Sequence, residues 1–311
     1  MSAKDKGLSL DVIIIGGGAA GLNAALVLGR ARRKVLVIDE EMPRNRVTRE
    51  SHGFLSRDGI SPSEFRRISR EQILNYPSVS FESDVVNAVT GSDGDFRVAV
   101  KSGNIFSSRK VLFATGMKDV LPAVDGLVEV YGTSAFVCPF CDGWELRDRK
   151  VCVIGTNEMV FHLVKVLSGW TKDITLLTNG MEILTAGELN EVERHNVKVS
   201  KDIIKQIESV HGEVKTITFK TDAAIECEGI FFTPNLVQAT SIPASLGCKM
   251  TDDGPFTTIA IDQMGRTNVK GVYSAGDAST KFYQLISAAS SGAMSGASIQ
   301  LDLLEVEWER I

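Results

Sequence analysis

Two cysteines, Cys138 and Cys141, stand two residues apart and are followed directly by an acid, Asp142. Thiols at this spacing can close a small disulfide, and such pairs often have a lowered thiol pKa that favours the reactive thiolate. A carboxyl next to the second thiol is placed where a proton donor or acceptor would be needed. The motif therefore predicts a redox-active dithiol with Asp142 as its acid–base group.

The alternative interpretation of a CxxC motif is one half of a zinc site. A structural zinc site needs a second pair of ligands. The other cysteines, Cys152, Cys227 and Cys248, are scattered singly, and no second CxxC or HxxxH pair accompanies them. The sequence therefore predicts a redox pair and no metal site.

The chain of 311 residues is long enough for about two domains, each with its own core. Its five cysteines, an odd number, do not match the disulfide framework of a secreted protein. The net charge of −5 gives no general attraction to nucleic acid. The start lacks an apolar signal segment, and no run approaches the ~18 apolar residues of a membrane span. A soluble cytoplasmic protein without nucleic-acid or membrane contact is expected.

A glycine motif follows the first apolar run of the chain. Residues 10–15 are mostly β-branched, which is typical of a parallel strand buried on both faces. Gly16, Gly18 and Gly21 follow in GxGxxG spacing and lead into a helical stretch of small and apolar residues. The first glycine permits a tight turn, the second lets a pyrophosphate approach the backbone, and the third allows close packing of the helix. The pattern predicts a dinucleotide site.

A second strand, residues 34–38, ends at Asp39 and Glu40. An acid about 20 residues beyond the glycines is where a ribose hydroxyl needs an acceptor. Strand, glycines, helix, strand and acid together are much more specific than the glycine motif alone.

The second half of the chain contains a similar but incomplete motif. Residues 150–155 again form an apolar run that ends in glycine, but Asn157 stands at the second glycine position and bulky Val160 at the third. The next strand ends at residues 178–180, Thr-Asn-Gly, with neither an acid for a plain ribose nor arginines for a 2′-phosphate. We expect a nucleotide-domain fold without its ligand chemistry, and Asn179 can serve as a turn residue.

With these motifs, the chain resembles the low-molecular-weight thioredoxin reductase family of FAD-dependent disulfide oxidoreductases over essentially its full length. The resemblance implies an α/β fold with two Rossmann-like domains, the second inserted in the first. Residues 1–116 and 245–311 would form the FAD-binding domain, and residues 117–244 a pyridine-nucleotide-like domain that carries the dithiol. It also implies a homodimer.

By the same resemblance, Cys141 faces the flavin, Cys138 attacks the outside partner, and Asp142 relays the proton. Asp277 binds the ribityl chain or the phosphates, and the amides near Gln284 hold the pyrimidine end of the ring. The implied FAD-binding set is Gly16, Gly18, Ala19, Ala20, Gly21, Asp39, Glu40, Arg46, His52, Val86, Thr115, Gly116, Gly276, Asp277, Gln284 and Leu285.

The chain departs from the NADPH-dependent members, which have a complete second glycine motif and a His-Arg-Arg cluster. It is more similar to the branch with ferredoxin-dependent flavin thioredoxin reductases and the dithiol oxidases of gliotoxin and holomycin. NADPH is therefore a doubtful cofactor. The resemblance also places His52 beside the flavin as a proton donor or acceptor for flavin or a substrate thiol; an exposed polar residue is an equally good interpretation.

Three functions are compatible with these residues. Electrons could pass through FAD to the dithiol and on to a thioredoxin-like protein or a small disulfide, from NADPH or a reduced carrier protein. The same relay could run backward, with a small dithiol oxidised and molecular oxygen as the acceptor. A redox sensor is the third possibility. The direction depends on potentials, because about 60 mV changes a two-electron equilibrium a hundredfold.

Overall fold

The computed structural model describes residues 10–252 and 256–309. In chain order the strands are β1 (Leu10–Ile15), β2 (Val35–Asp39), β3 (Val79–Ser83), β4 (Val86–Ser92), β5 (Asp95–Val100), β6 (Ile105–Phe113), β7 (Met117–Val120), β8 (Ala135–Phe136), β9 (Val151–Ile154), β10 (Ile174–Leu177), β11 (Lys198–Ser200), β12 (Ile204–Val210), β13 (Glu213–Phe219), β14 (Ala224–Glu226), β15 (Gly229–Phe232), β16 (Asn235–Gln238), β17 (Met250–Thr251), β18 (Thr258–Ile259) and β19 (Val272–Ser274). The helices are α1 (Ala19–Arg30), α2 (Pro62–Leu74), α3 (Leu127–Val130), α4 (Pro139–Asp142), α5 (Met159–Leu167), α6 (Ala186–Arg194), α7 (Ile242–Ser245) and α8 (Leu285–Trp308), with 3₁₀ turns at Arg44–Val47 and Gly276–Ala278. In the part of the chain described, none of these helices is long and apolar enough to span a membrane.

The chain divides into two compact units. The first unit holds the chain up to Arg46, residues Pro62–Lys118 and the chain from Leu236 onward. The second unit holds Val47–Ser61 and Asp119–Asn235. A domain inserted in another is the arrangement expected from the sequence, but the boundaries differ from the expected ones in two places.

The first difference is the segment Val47–Ser61, which belongs to the second unit although the sequence suggested residues 1–116 as one piece. Gly132 lies so close to the carbonyl of Val47 that a Cβ atom there would collide with it. Arg49 forms an ion pair with Glu213 at 3.8 Å. These contacts within the second unit account for the position of the segment.

The second difference is the return to the first unit, which comes after Asn235 rather than near residue 244. The carboxamide of Gln238 explains it, because its Nε2 donates to the carbonyls of Thr257 at 3.0 Å and Ala278 at 2.9 Å. These bonds hold the end of β16 in the first unit. The chain therefore returns to this unit earlier than the sequence suggested.

The first unit is built around a mostly parallel sheet. Its strand order is β3-β2-β1-β6-β5-β4. Strand β19 pairs with the last residues of β6, beyond the part of β6 that pairs with β5. The apolar run predicted for residues 10–15 is the central strand β1, and its Val12, Ile13 and Ile14 are fully buried. One face of the sheet packs on α1 and α8. Parallel strands covered on both faces need this continuous apolar composition.

Helix α8 packs closely against α1 through small residues. At Gly292 a Cβ atom would collide with the carbonyl of Ala20, so a side chain there would force the helices apart. Asn23 on α1 also donates from its Nδ2 to the carbonyl of Ala289 at 2.6 Å. The small residues of α8 therefore serve helix–helix contact.

The C-terminal end of α8 is tied to the sheet by a cluster of charges. Glu307 accepts two hydrogen bonds from Arg33, at 2.7 and 3.0 Å, and one from Arg109 at 2.5 Å. Asp11 joins the cluster through Arg109 at 3.0 Å. The hydrogen bonds from Arg33 and then Arg109 lower the pKa of Glu307 to about 2.

Replacing Glu307 by Gln is expected to lower the free energy of unfolding by about 1 kcal/mol at neutral pH, after allowance for solvent screening of this half-exposed group. The folded pKa lies below the unfolded one, so this contribution is complete above about pH 4.5 and is lost as the pH falls toward 2. Urea unfolding of the two proteins at pH 7 and pH 3 measures the difference. Glu305→Gln, an exposed neighbour on the same helix, is the control. An equal loss from both substitutions would contradict the role of the cluster.

The second unit has a five-stranded parallel sheet of order β11-β10-β9-β15-β8. An antiparallel sheet, β12-β13-β14, supplies further residues to the core on one side. Asn179 lies in the turn that follows β10, where it has a positive φ of 50° and its side-chain oxygen accepts a hydrogen bond from the Ile204 amide at 2.8 Å. Asn179 is thus a turn residue.

Candidate functional site

The dithiol lies at the start of the short helix α4 in the second unit. Cys138 is the residue before the helix, and its carbonyl accepts from the Cys141 amide at 3.1 Å. In this turn the two Sγ atoms lie 2.7 Å from each other. Both cysteines are half-buried and are not joined by a disulfide bond. A small movement closes them to the ~2.05 Å of a disulfide bond.

Aromatic residues surround the dithiol turn. Phe140, between the cysteines, packs edge-on against Trp170 with ring centroids 5.3 Å apart. Phe140 and Trp144 are nevertheless each 64% exposed, and the guanidinium of Arg147 lies 4.2 Å from the centroid of the Trp144 ring. The dithiol therefore stands beside exposed aromatic surface.

The carboxyl of Asp142 differs from an ordinary aspartate. Burial raises its pKa to about 7, and the charges of Cys138 and Glu145 act in the same direction. At neutral pH this carboxyl is divided between its acid and base forms, which suits a group that gives and takes the proton of a thiol.

The stability of the protein should depend on pH through Asp142. Between about pH 4 and pH 7 the folded protein keeps a proton that the unfolded chain has lost, so stability falls as pH rises through this window and is constant above it. Asp142→Asn is expected to remove this loss and to gain roughly 2 to 4 kcal/mol relative to the native protein between pH 4 and pH 7.5. Urea unfolding at both pH values measures it, with the exposed Asp148→Asn as the matched control. Parallel pH curves for the native and Asp142→Asn proteins would contradict the shift.

The first glycine motif has the backbone geometry of a dinucleotide site. Gly16 has a φ of 107°, which disfavours other residues, and a Cβ atom there would collide with the carbonyl of Ala114. Gly18, in contrast, has open space where a side chain would be. Ala19 and Ala20 begin α1 and are buried. The open side of the turn at the start of α1 fits the approach of a pyrophosphate.

Asp39, at the end of β2, lies beside this turn. Its Oδ2 accepts a short hydrogen bond from Arg66 on α2, and a Cβ atom at Gly17 would touch the same carboxylate. Glu40, the next residue, is exposed. Asp39 therefore has the place of a ribose acceptor, with its orientation fixed by Arg66.

Several buried polar atoms of the first unit have no hydrogen-bond partner among the described residues. Among them are Thr115 Oγ1, Thr280 Oγ1 and Tyr283 OH, and the others are Arg66 Nε, Gln238 Oε1 and Ser298 Oγ. Buried polar groups are normally satisfied, so these atoms are suited to a bound polar molecule. Gly116, next to Thr115, has a φ of 66° and open space at its Cβ position. Together with the open glycine turn, these features fit FAD.

The turn after β19 brings together further candidate FAD-binding residues. Asp277 forms an ion pair with Arg44 at 3.5 Å, and the Arg44 guanidinium lies 5.4 Å from the centroid of the Tyr283 ring. The amide of Gly276 donates to Ser291 Oγ at 2.8 Å. Gln284 is the N-cap residue of α8 and makes no side-chain cap bond, and Leu285 begins the helix.

The FAD-binding set implied by the resemblance contains Arg46 and not Arg44. In the structure Arg46 is exposed and donates from Nη1 to the carbonyl of Pro43 at 3.2 Å. The two arginines are separated by one residue in an irregular stretch, so no periodicity indicates which one turns inward. Val86 begins β4 and packs against the sheet core. The implied set also lacks Thr280 and Tyr283, whose nearness in sequence to Gly276-Asp277 is the only signal that points to them.

The second glycine turn, in the second unit, is filled by side chains. The Asn157 Oδ1 accepts from the amide of Met159 at 3.0 Å, which occupies a donor at the start of α5. Val160 is fully buried, and its Cγ2 would lie 2.8 Å from a Cβ atom at Gly155. The side chain of Ile183 crowds the same point. The Asn157 side chain thus takes up a backbone donor at a helix start, where a pyrophosphate would need one.

A pair of threonines also crosses the crevice at the ends of β9 and β15. These strands are parallel neighbours, and in α/β sheets nucleotides bind beyond the carboxyl ends of the strands. Thr156 Oγ1 donates to the carbonyl of Thr233 at 2.7 Å, and the two hydroxyls lie 3.1 Å apart. The crevice is thus bridged by the protein itself.

His52 lies in the segment that joins the second unit, and its ring is next to Glu145, four residues beyond Cys141. The structure therefore groups it with the dithiol-bearing unit. In residues 10–252 and 256–309, no three His, Cys, Asp or Glu side chains are arranged to hold a metal ion.

Comparison with known proteins identifies the family. The pyridine nucleotide-disulphide oxidoreductase family matches residues 10–293. The chain belongs to this family. It is accordingly an oxidoreductase that acts on sulfur groups, with the two-domain Rossmann-like fold, and the family implies flavin binding.

The similar proteins agree with this assignment. A protein of Arthroderma benhamiae named probable thioredoxin reductase is 32% identical and covers 86% of this chain and 74% of its own length. Thioredoxin reductase sirT of Leptosphaeria maculans is 28% identical and covers 94% of both chains. The crystal structure of HlmI has a TM-score of 0.94 at 31% identity, covering 99% of this chain and 97% of HlmI. The chain is thus a thioredoxin-reductase-like FAD oxidoreductase.

Proposed function

We propose that this protein transfers electrons between FAD, the Cys138–Cys141 pair and an outside thiol or disulfide, without using NADPH. The observation that carries the proposal is the contrast between the two glycine turns. The first turn has open space at Gly18, whereas at the corresponding position of the second the Asn157 side chain accepts from a backbone amide, and Thr156 beside it donates to Thr233. A bound FAD would accept or donate the electron pair of the dithiol.

The dithiol and Asp142 can perform thiol–disulfide exchange. In the reducing direction, the Cys138 thiolate attacks a sulfur of the partner disulfide, and the leaving thiolate takes a proton from Asp142. The Cys141 thiolate then attacks Cys138 in the mixed disulfide, which releases the second partner thiol and forms the Cys138–Cys141 disulfide. The reverse sequence oxidises a dithiol partner. An Asp142 pKa of about 7 serves both directions.

The partner is a thioredoxin-like protein or a small dithiol or disulfide. The relatives' names favour the protein partner, since the two curated relatives compared above are thioredoxin reductases. The exposed Phe140 and Trp144 beside the dithiol are compatible with either partner, because aromatic side chains offer apolar contact area.

A second candidate function is an oxygen-dependent dithiol oxidase. The hydrogen bonds of Asn157 and Thr156 at the second glycine turn favour it, because an enzyme that uses molecular oxygen as acceptor needs no nicotinamide donor. In that case a small dithiol would reduce the Cys138–Cys141 disulfide and leave as a disulfide itself, and a bound FAD would supply the route for the electron pair to oxygen, with hydrogen peroxide as the product.

Anaerobic stopped-flow measurement of the flavin distinguishes these functions. The protein should contain or take up about one FAD per chain, which absorption at flavin wavelengths measures. Reduction by a dithiol such as dithiothreitol, followed by rapid reoxidation with oxygen, would support the oxidase. Reoxidation only by oxidised thioredoxin would support the reductase. A protein that takes up no flavin contradicts both.

A further inference from the structure

His52 is surrounded by carboxylates on both of its ring nitrogens. Nε2 lies 3.6 Å from Glu50 Oε2 and 3.7 Å from Glu145 Oε1, and Nδ1 lies 3.6 Å from Asp58 Oδ1. The imidazole is 20% exposed, whereas the side chains of Glu50, Asp58 and Glu145 are 58%, 70% and 44% exposed. The ring is therefore the covered part of the cluster, and the three acids border solvent.

Glu145 connects this cluster to the dithiol. It lies three residues beyond Asp142, and its negative charge is one of the causes that raise the Asp142 pKa, after burial and the Cys138 charge. The charged groups that act on Asp142 are thus Cys138 and Glu145, and those around His52 are Glu50, Asp58 and Glu145. Glu145 is common to both sets.

We propose that His52 is a positioning residue for the dithiol chemistry, holding the Glu145 carboxylate and offsetting its charge beside Asp142. An imidazole nitrogen 3.7 Å from the Glu145 carboxylate reduces the negative potential that Glu145 exerts on Asp142 and Cys138. The protonation of Asp142 thereby depends on a side chain of the segment Val47–Ser61. The inference rests on the proposed role of the dithiol, and it assigns His52 an effect through Glu145.

The alternatives for His52 predict different behaviour. A surface histidine without a role would leave the titration of the dithiol unchanged when replaced. A histidine that acts by direct proton transfer to another group would have effects independent of Glu145. Only the proposed arrangement makes the effect of His52 depend on the presence of the Glu145 charge.

The test is the pH dependence of Cys138 alkylation in the reduced holoenzyme. Iodoacetamide reacts with the thiolate, so the rate of labelling of the Cys138 peptide, followed by mass spectrometry, reports its ionisation. His52→Gln is expected to move the midpoint of the profile upward by on the order of half a pH unit, because the imidazole that faces the Glu145 carboxylate is lost. Glu145→Gln is expected to move it downward, because a negative charge is lost. His195→Gln, at the end of α6, is the matched control and should not move it.

The double variant decides whether His52 acts through Glu145. The profile of His52→Gln/Glu145→Gln should coincide with that of Glu145→Gln alone. An unchanged profile for His52→Gln, or the same upward shift in the presence and absence of Glu145, would overturn the proposal. The labelling requires neither turnover nor an identified substrate, so failure of the proposed electron path would leave this result interpretable by itself.

Discussion

Cys138→Ser and Cys141→Ser are each expected to lower turnover with a thiol or disulfide substrate by at least about a thousandfold. The two Sγ atoms lie 2.7 Å apart, and no other pair of the protein's cysteines is separated by two residues. Neither variant can close the intramolecular disulfide, so any remaining exchange would stop at the mixed disulfide. Steady-state rates with dithiothreitol or thioredoxin measure the effect.

The buried Cys248 provides the control for this loss. Cys248→Ala removes a thiol of the other unit, and its turnover should stay within about twofold of the native rate. A large loss from Cys248→Ala, or activity retained by either variant of the pair, would contradict the assignment of the redox dithiol.

The two variants should also differ in their spectra. If Cys141 is the thiol that faces the flavin, Cys138→Ser leaves a thiolate able to form a long-wavelength charge-transfer band with oxidised flavin. Cys141→Ser removes the donor and the band together. Identical spectra would show that the inner and outer roles have been assigned wrongly, even if both variants are inactive.

NADPH and NADH at about 100 µM are expected to reduce the flavin at least about a hundredfold more slowly than dithiothreitol does. A dinucleotide needs free backbone amides at the start of a helix for its phosphates, and here Asn157 accepts from one of them. The bridge from Thr156 to Thr233 would also have to open, with loss of the hydrogen bonds that it makes.

Anaerobic stopped-flow absorbance measures this reduction directly. Dithionite serves as the control that the bound flavin can be reduced at all. Complete reduction of the flavin within a second by micromolar NADPH would contradict the proposed function. It would indicate an ordinary NADPH-dependent reductase instead.

Much of this site is visible in local sequence, because its parts are local. A glycine turn after an apolar strand is specified by adjacent residues, as is a thiol pair followed by an acid. The absence of the second and third glycines from the second turn is equally visible in the sequence, at Asn157 and Val160. The contributions of Ile183 and Thr233 were not, because they reach Gly155 and Thr156 only after the sheet has formed.

The remaining differences have the same origin in long-range contact. Whether Arg44 or Arg46 meets Asp277 depends on the backbone path of an irregular loop, which no periodicity determines. The boundary after Asn235 depends on the hydrogen bonds of Gln238, whose acceptors lie 19 and 40 residues further along the chain. The segment around His52 is assigned by its neighbours rather than by its own composition.

The position of the segment Val47–Ser61 affects how the protein can be divided into fragments. The chain passes between the units after Arg46, Ser61, Lys118 and Asn235, so the second unit consists of two separate stretches. A fragment starting at Asp119 would leave Gly132 and Glu213 without Val47 and Arg49. Chimaeras that exchange this unit between relatives should therefore transfer Val47–Ser61 together with Asp119–Asn235, or His52 and Glu145 will come from different parents.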